Sequence, residues 1–255
     1  MRRYVATSWL AIVMAITAGA TRTAAAETPQ AVATRVVQGE YRSEGIANGE
    51  RRGGEHFQLV VNSDGTRTLS ISSDLAWRNS WFTVVLRSAA DFRPLEAYVS
   101  YWSGGRYKGS GHFLVKGERM LAESNGPDSG RQTREMALPA CFSIGTHPVS
   151  ADGWHTANLD ASNLATSKTA KRPLQLYSVD ASADTTKPVL GTLVPLEVEY
   201  LGDETIEVPA GRFTTQRYQL AGMNNLWVYG ADRIVIRSEL PARGLRYVLT
   251  SLNAR

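Results

Sequence analysis

The chain has 255 residues, with 28 Lys and Arg against 24 Asp and Glu, 43% hydrophobic residues and a single cysteine. Three of the arginines and none of the acids fall in the first 26 residues, which leaves 25 basic groups against 24 acidic ones in residues 27–255. That balance is too even for a surface that tracks phosphates, so nucleic acid is excluded as a partner; one cysteine excludes an internal disulfide, and roughly 230 residues can bury a core without one.

Residues 1–26 read as a cleavable secretory signal: Arg2 and Arg3, an apolar run from Trp9 to Ala20, then small residues ending in Ala24-Ala25-Ala26. The run is about twelve residues, short of the roughly twenty that span a bilayer. Cleavage is expected before Glu27, with Ala18-Gly19-Ala20 as second choice. The only cysteine, Cys141, follows far downstream, which excludes lipid attachment at a new N-terminal cysteine. The expected location is the periplasm, with secretion as the alternative, and no stable membrane anchor is expected.

Residues 27–255 are expected to form one β-rich domain. Strands are predicted at Arg35–Ile46, His56–Asn62, Arg67–Ser73, Trp81–Ser88, Pro94–Trp102, Tyr107–Lys116 and Arg119–Ser124, from runs of β-branched and aromatic residues punctuated by Asn48-Gly49, Asp64-Gly65, Gly104-Gly105 and Lys116-Gly117. Phe57, Leu59 and Val61 alternate, whereas Trp81 to Leu86 is continuously apolar and reads as buried on both faces. An irregular insert is expected over about 126–187, with short helices at Arg131–Ala140 and Asp152–Ala165, the second capped by Asp152. A second strand series follows: Val194–Leu201, Glu204–Val208, Thr214–Ala221, Leu226–Tyr229, Ile234–Glu239 and Arg246–Leu252. Consecutive hairpins without long crossovers build a meander, a barrel or a sandwich.

The segment Glu207-Val208-Pro209-Ala210-Gly211-Arg212-Phe213-Thr214-Thr215, then Leu226-Trp227-Val228-Tyr229 and Asp232-Arg233-Ile234-Val235-Ile236-Arg237, resembles the C-terminal half of the exported bacterial DUF3108 family. Phe92-Arg93-Pro94-Leu95 resembles the strand start such proteins often carry. Val235 stands where the family pattern usually has proline, and the 126–187 insert has no counterpart there. The resemblance implies a curved antiparallel sheet forming a half-barrel or open barrel, similar to lipoprotein carriers of the LolA/LolB type, with one or two short helices capping the concave face. It implies no reaction.

The densest set of reactive side chains is Cys141 to His155, where His147, Asp152 and His155 are the candidate catalytic groups. An Asp–His pair three residues apart on a helical turn can fix an imidazole tautomer for acid–base work. The same residues also read as a capped loop with Trp154 plugging the sheet, or, with Cys141, as a metal site whose spacing matches no established zinc pattern. No metal or organic cofactor is expected. Ser143 lacks the Gly-x-Ser-x-Gly elbow of a hydrolase nucleophile. His112, Trp102, Tyr98, Trp154, Trp227 and Tyr229 are the candidate ligand-binding residues, an aromatic wall with polar handles; Arg237 and Arg246 are candidate anchors for an anionic group. The expected function is binding of an apolar or amphipathic small molecule (lipid, isoprenoid, steroid or aromatic) in the concave face. The alternative is a cofactor-independent lyase, isomerase or hydratase using the same cavity.

Overall fold

The computed structural model describes residues 31–157 and 170–255; the expected signal segment lies outside the described residues. Eight strands come first: β1 (Ala33–Gly45), β2 (Arg51–Asn62), β3 (Arg67–Leu75), β4 (Ser80–Ser88), β5 (Pro94–Ser103), β6 (Arg106–Lys116), β7 (Arg119–Gly126) and β8 (Gly130–Ala137). After β9 (Phe142–Gly145) comes one helical turn, α1 (Val149–Asp152), which runs into a 3₁₀ turn at Gly153–Thr156. The chain then makes β10 (Ala170–Val179), β11 (Gly191–Val208), β12 (Gly211–Leu220), β13 (Asn224–Tyr229), β14 (Ile234–Leu240) and β15 (Leu245–Ala254).

All of these strands belong to one sheet, in the order β8-β7-β6-β5-β4-β3-β2-β1-β15-β14-β13-β12-β11-β10-β9. Each hairpin neighbour pairs antiparallel, and the two halves join where β1 meets β15, with Tyr41 opposite Leu249 and Ser43 opposite Tyr247. Only β9 and β10 run parallel, Ser143 beside Leu176, and the connection between them carries α1. A parallel pair cannot be joined by a tight hairpin. Among the described residues no helix is long and apolar enough to cross a membrane.

One face of the sheet is apolar and the other polar, as period-two strands require. Leu69, Ile71, Ser73 and Leu75 of β3, Phe82, Val84 and Leu86 of β4, and Ala97, Val99 and Tyr101 of β5 are buried, while the residues between them are not. The Trp81 run obeys the same rule: Trp81 is exposed and only alternate positions are buried, so burial on both faces is corrected to one. A curved sheet covers its apolar face by curling onto itself, and here it does so without closing into a barrel.

The two flanks meet through side chains and loops. Tyr101 Oη donates to Thr146 O at 2.8 Å, the Val189 N–H donates to Ser124 Oγ at 2.8 Å, and Arg134 reaches Gly191 O at 3.0 Å. Gly111 is required at this seam, since a Cβ there would stand 2.7 Å from Val189 O. Lys108 of β6 is wholly buried, its Nζ 3.1 Å from Asp180 Oδ1 and donating to Asp184 O at 2.7 Å and Ser182 Oγ at 3.3 Å.

Two expectations are corrected by the insert. Residues 130–137 form β8, an exposed edge strand, where a helix was expected. Asp152 closes α1 while Pro148 occupies the capping position, so the turn begins three residues before the expected cap; the part of that helix beyond Ala157 lies outside the described residues. Replacing Lys108 by Met removes the ionic pin between β6 and the 180–184 loop. We expect a loss of about 2–4 kcal/mol in urea denaturation; an unchanged midpoint would show that the seam does not need it.

Candidate functional site

The site is built by the segment after β9. His147 holds a left-handed backbone (φ 77°), a costly conformation for a residue with a side chain. Its Nε2 lies 2.6 Å from Val179 O. A carbonyl only accepts, so the ring proton is on Nε2. Burial pushes this imidazole below its ordinary range, against the pull of that hydrogen bond, and the Arg78 charge adds to the downward push.

The next turn is held by a buried carboxylate. Glu55 of β2 accepts the Val149 N–H on Oε2 at 3.0 Å and the Ser150 N–H on Oε1 at 2.8 Å. Burial raises Glu55 to about 7; the hydrogen bonds from Ser150 and Val149 oppose this, and the charge of Asp152 adds to it. The same segment packs down through Trp154, whose indole donates to Asp232 O at 3.3 Å and meets Phe92 edge-on. Gly153 lies so close to Arg233 that a Cβ would stand 1.9 Å from its carbonyl oxygen, so the chain can pass here only without a side chain.

This anchoring sets out a polar chain. His155 Nδ1 is 2.6 Å from Ser143 Oγ, and its Nε2 is 3.6 Å from Asp152 Oδ1. With the carboxylate beside Nε2, the ring proton belongs there, and Nδ1 accepts the Ser143 O–H. Asp152 Oδ2 in turn accepts Asn224 Nδ2 at 2.9 Å, and the same amide nitrogen donates to Ser238 Oγ at 3.0 Å. Both amide hydrogens are used, which fixes the amide orientation. Asn224 Oδ1 is left buried without a partner.

Asp152, His155 and Asn224 border a partly enclosed cavity of about 340 Å³. Its apolar wall is mainly aliphatic, with Leu75, Val149, Leu176, Val194, Leu240 and Leu245 beside Trp77; its polar groups are His147, Asp152, His155, Ser178, Asn224, Arg78, Arg243 and Tyr247. A second concavity of about 470 Å³, over Gln38, Glu40, His56, Gln58, Ser70 and Ser72, is an open polar trough on the outward face. Among the described residues no three His, Cys, Asp or Glu gather closely enough to hold a metal ion.

The structure thus brings His147, Asp152 and His155 together on one cavity wall. It does not place the expected aromatic residues there. Tyr98 and Trp102 have the outward parity of β5 and are 43% and 45% exposed, because Ala97, Val99 and Tyr101 take the inward positions. His112 is exposed and pairs with Glu96 at 2.9 Å, while Tyr229 is exposed against Phe213. Trp154 is core, and Trp227 is buried under Arg237, whose guanidinium lies 3.8 Å from the ring centroid. Arg246 is paired with Glu44. The residues that sequence reasoning missed are Glu55, Ser143, Asn224, Arg78 and Arg243. Ser143 lay inside the reactive cluster, but its partner His155 is set by the turn geometry of 149–156, which no local motif encodes.

No family model matches the chain, and no curated protein does. Among solved structures it is similar to a β-barrel-like protein of the domain of unknown function DUF1849 from Brucella abortus, with TM-score 0.52 and 10% identity over 87% of this chain and 97% of that one. A DUF1089 family protein from Pseudomonas aeruginosa is matched with TM-score 0.40 and 14% identity over 73% of this chain and 88% of that one. The first likeness concerns the fold alone, a bacterial β-barrel-like domain of unknown function, and the C-terminal motifs find no match to a DUF3108 model.

A carboxyl raised in the folded state keeps its proton between the ordinary 4.5 and about 7, where the unfolded chain has released it. Stability is therefore greatest at the acid end of that window and falls as pH rises through it. Relative to Glu55→Gln, the wild-type protein is expected to lose up to about 3 kcal/mol between these limits in urea denaturation. Parallel pH profiles for the two proteins would mean that Glu55 titrates normally.

Proposed function

We propose that this is an exported binding protein for an amphipathic small molecule held in the partly enclosed cavity. The observation that carries the reading is a partly enclosed hollow of about 340 Å³ in which Leu75, Leu176, Val194 and Leu245 face the same space as Asp152, His155, Asn224 and Arg78. An apolar pocket with a few convergent polar groups is the usual form of a small-molecule site. A guest burying roughly 300 Å² of apolar surface gains about 7 kcal/mol before the cost of association, so tight binding needs its polar head to contribute as well. The leader-like first 26 residues support a site of action outside the cytoplasm.

A second reading is favoured by the Ser143–His155–Asp152 chain. His155 and Asp152 border the cavity, and an imidazole held between a hydroxyl and a carboxylate is arranged for proton transfer to or from a bound molecule. In that reading the protein is a cofactor-independent lyase or isomerase. Ser143 keeps the ring in place and does not itself border the cavity.

Native mass spectrometry of protein purified from its own host tests the first reading. We expect one extra, extractable small molecule, absent from a Val194→Phe variant whose larger side chain fills the hollow. Apoprotein that no amphipath stabilises thermally would contradict it. The recovered molecule, incubated with the protein in deuterated water, separates the two readings. Deuterium gained at carbon, and lost with His155→Gln, supports catalysis; an unlabelled molecule leaves binding alone.

A further inference from the structure

Several arginines among the described residues meet an acid: Arg35 and Arg67 meet Asp232, Arg42 and Arg246 meet Glu44, and Arg131 meets Glu123. The cavity carries two that do not. Arg78 ends the 3₁₀ turn Ala76–Arg78 between β3 and β4, and Arg243 ends the corresponding turn Pro241–Arg243 between β14 and β15. Both turns stop at a left-handed residue, Asn79 and Gly244, and both turn-ending arginines line the same hollow.

Among the described residues neither guanidinium forms an ion pair. Arg78 is half-buried, its charge 5.4 Å from the Phe82 ring centroid and 5.9 Å from that of Trp77, and its Nε is buried without a hydrogen-bond partner. Burial pushes this guanidinium below its ordinary value, and the charge of Arg243 pushes the same way against an opposing pull from Tyr247. The carboxylate on the cavity wall, Asp152, is already occupied by Asn224 and faces His155. His147, also on the wall, is held towards its neutral form. The hollow is thus lined by two guanidinium groups without an ion pair, by the single carboxylate Asp152, and beside them by aliphatic carbon.

We propose that the guest is an anion: an aliphatic oxyacid whose head lies between Arg78 and Arg243 and whose chain lies on Leu75, Leu176 and Leu245. This rests on the binding reading above and names the ligand class for it. A guanidinium fork matches the two oxygens of a carboxylate or the oxygens of a phosphate monoester, and the pairing is strongest where water is partly excluded. A neutral guest of the same length would leave the half-buried Arg78 guanidinium without an ionic partner.

Displacement of the neutral, polarity-sensitive dye N-phenyl-1-naphthylamine tests this with four twelve-carbon competitors: dodecanoate, dodecyl phosphate, dodecanol and dodecylamine. One of the two anions is expected to displace the dye at a concentration at least about tenfold below that needed for the alcohol or the amine. Whichever anion competes better identifies the head group. Arg243→Gln, at an exposed position, is expected to shrink that preference by several-fold and leave dodecanol within about twofold; Arg78→Gln does the same if folded, and Arg243→Gln carries the test alone if it is not. Equal competition by dodecanoate, dodecyl phosphate and dodecanol in the wild-type protein would overturn the anion assignment while leaving the binding reading intact. So would an anion preference that survives Arg243→Gln undiminished. If the dye and all four competitors fail to bind, the binding reading itself fails and takes this assignment with it.

Discussion

A fifteen-stranded sheet with one apolar face cannot lie open in water, and the need to cover that face governs the rest of this molecule. The inward residues of β3 to β7 are buried because β9 to β11 curl over against them, meeting through Tyr101, Lys108 and Ser124. A ladder joining β8 to β9 would have made a barrel. Side-chain contacts in its place leave the curve open, and the space that the 149–156 segment and the flanking turns do not fill is the cavity.

Fold and site share one fixing point. The Glu55 carboxylate, inward on β2 and opposite Tyr41 of β1, takes two backbone N–H groups from the turn that follows β9. From that hold the segment sends Trp154 into the core and presents Asp152 and His155 to the cavity. A side-chain carboxylate in the interior costs free energy unless its oxygens are bonded. Here both oxygens are bonded to the segment that carries the candidate acid–base groups, so positioning that segment and satisfying Glu55 are the same event.

The strands were legible where period-two alternation and glycine-containing turns coincide, as in Phe57-Leu59-Val61 and around Gly104-Gly105. They were illegible over 130–145, because β8 is an exposed edge strand with no apolar alternation and β9 is a four-residue run buried throughout. The Cys141–His155 cluster drew attention to the segment that borders the cavity, since reactive side chains in an irregular stretch are visible in any sequence. Partners from distant strands were not visible. Glu55 sits beside His56 in a strand that reads as ordinary, and Asn224 opens another; their roles depend on how far the sheet curls. The aromatic residues misled for a related reason. Parity assigns Tyr98 and Trp102 to the outward face, and composition does not reveal parity when small residues such as Ala97 hold the inward positions.

The open curve, the clamped turn and two arginines without an ion pair together underlie the proposal that the hollow takes a guest. Methyl-resolved NMR during a titration with dodecanoate or dodecyl phosphate locates the occupant directly. The account predicts shifts confined to cavity methyls, those of Leu75, Val149, Leu176, Val194, Leu240 and Leu245, with the outward-facing Leu121 and Leu201 unmoved. Shifts concentrated on the outward face, with the cavity methyls silent, would contradict it.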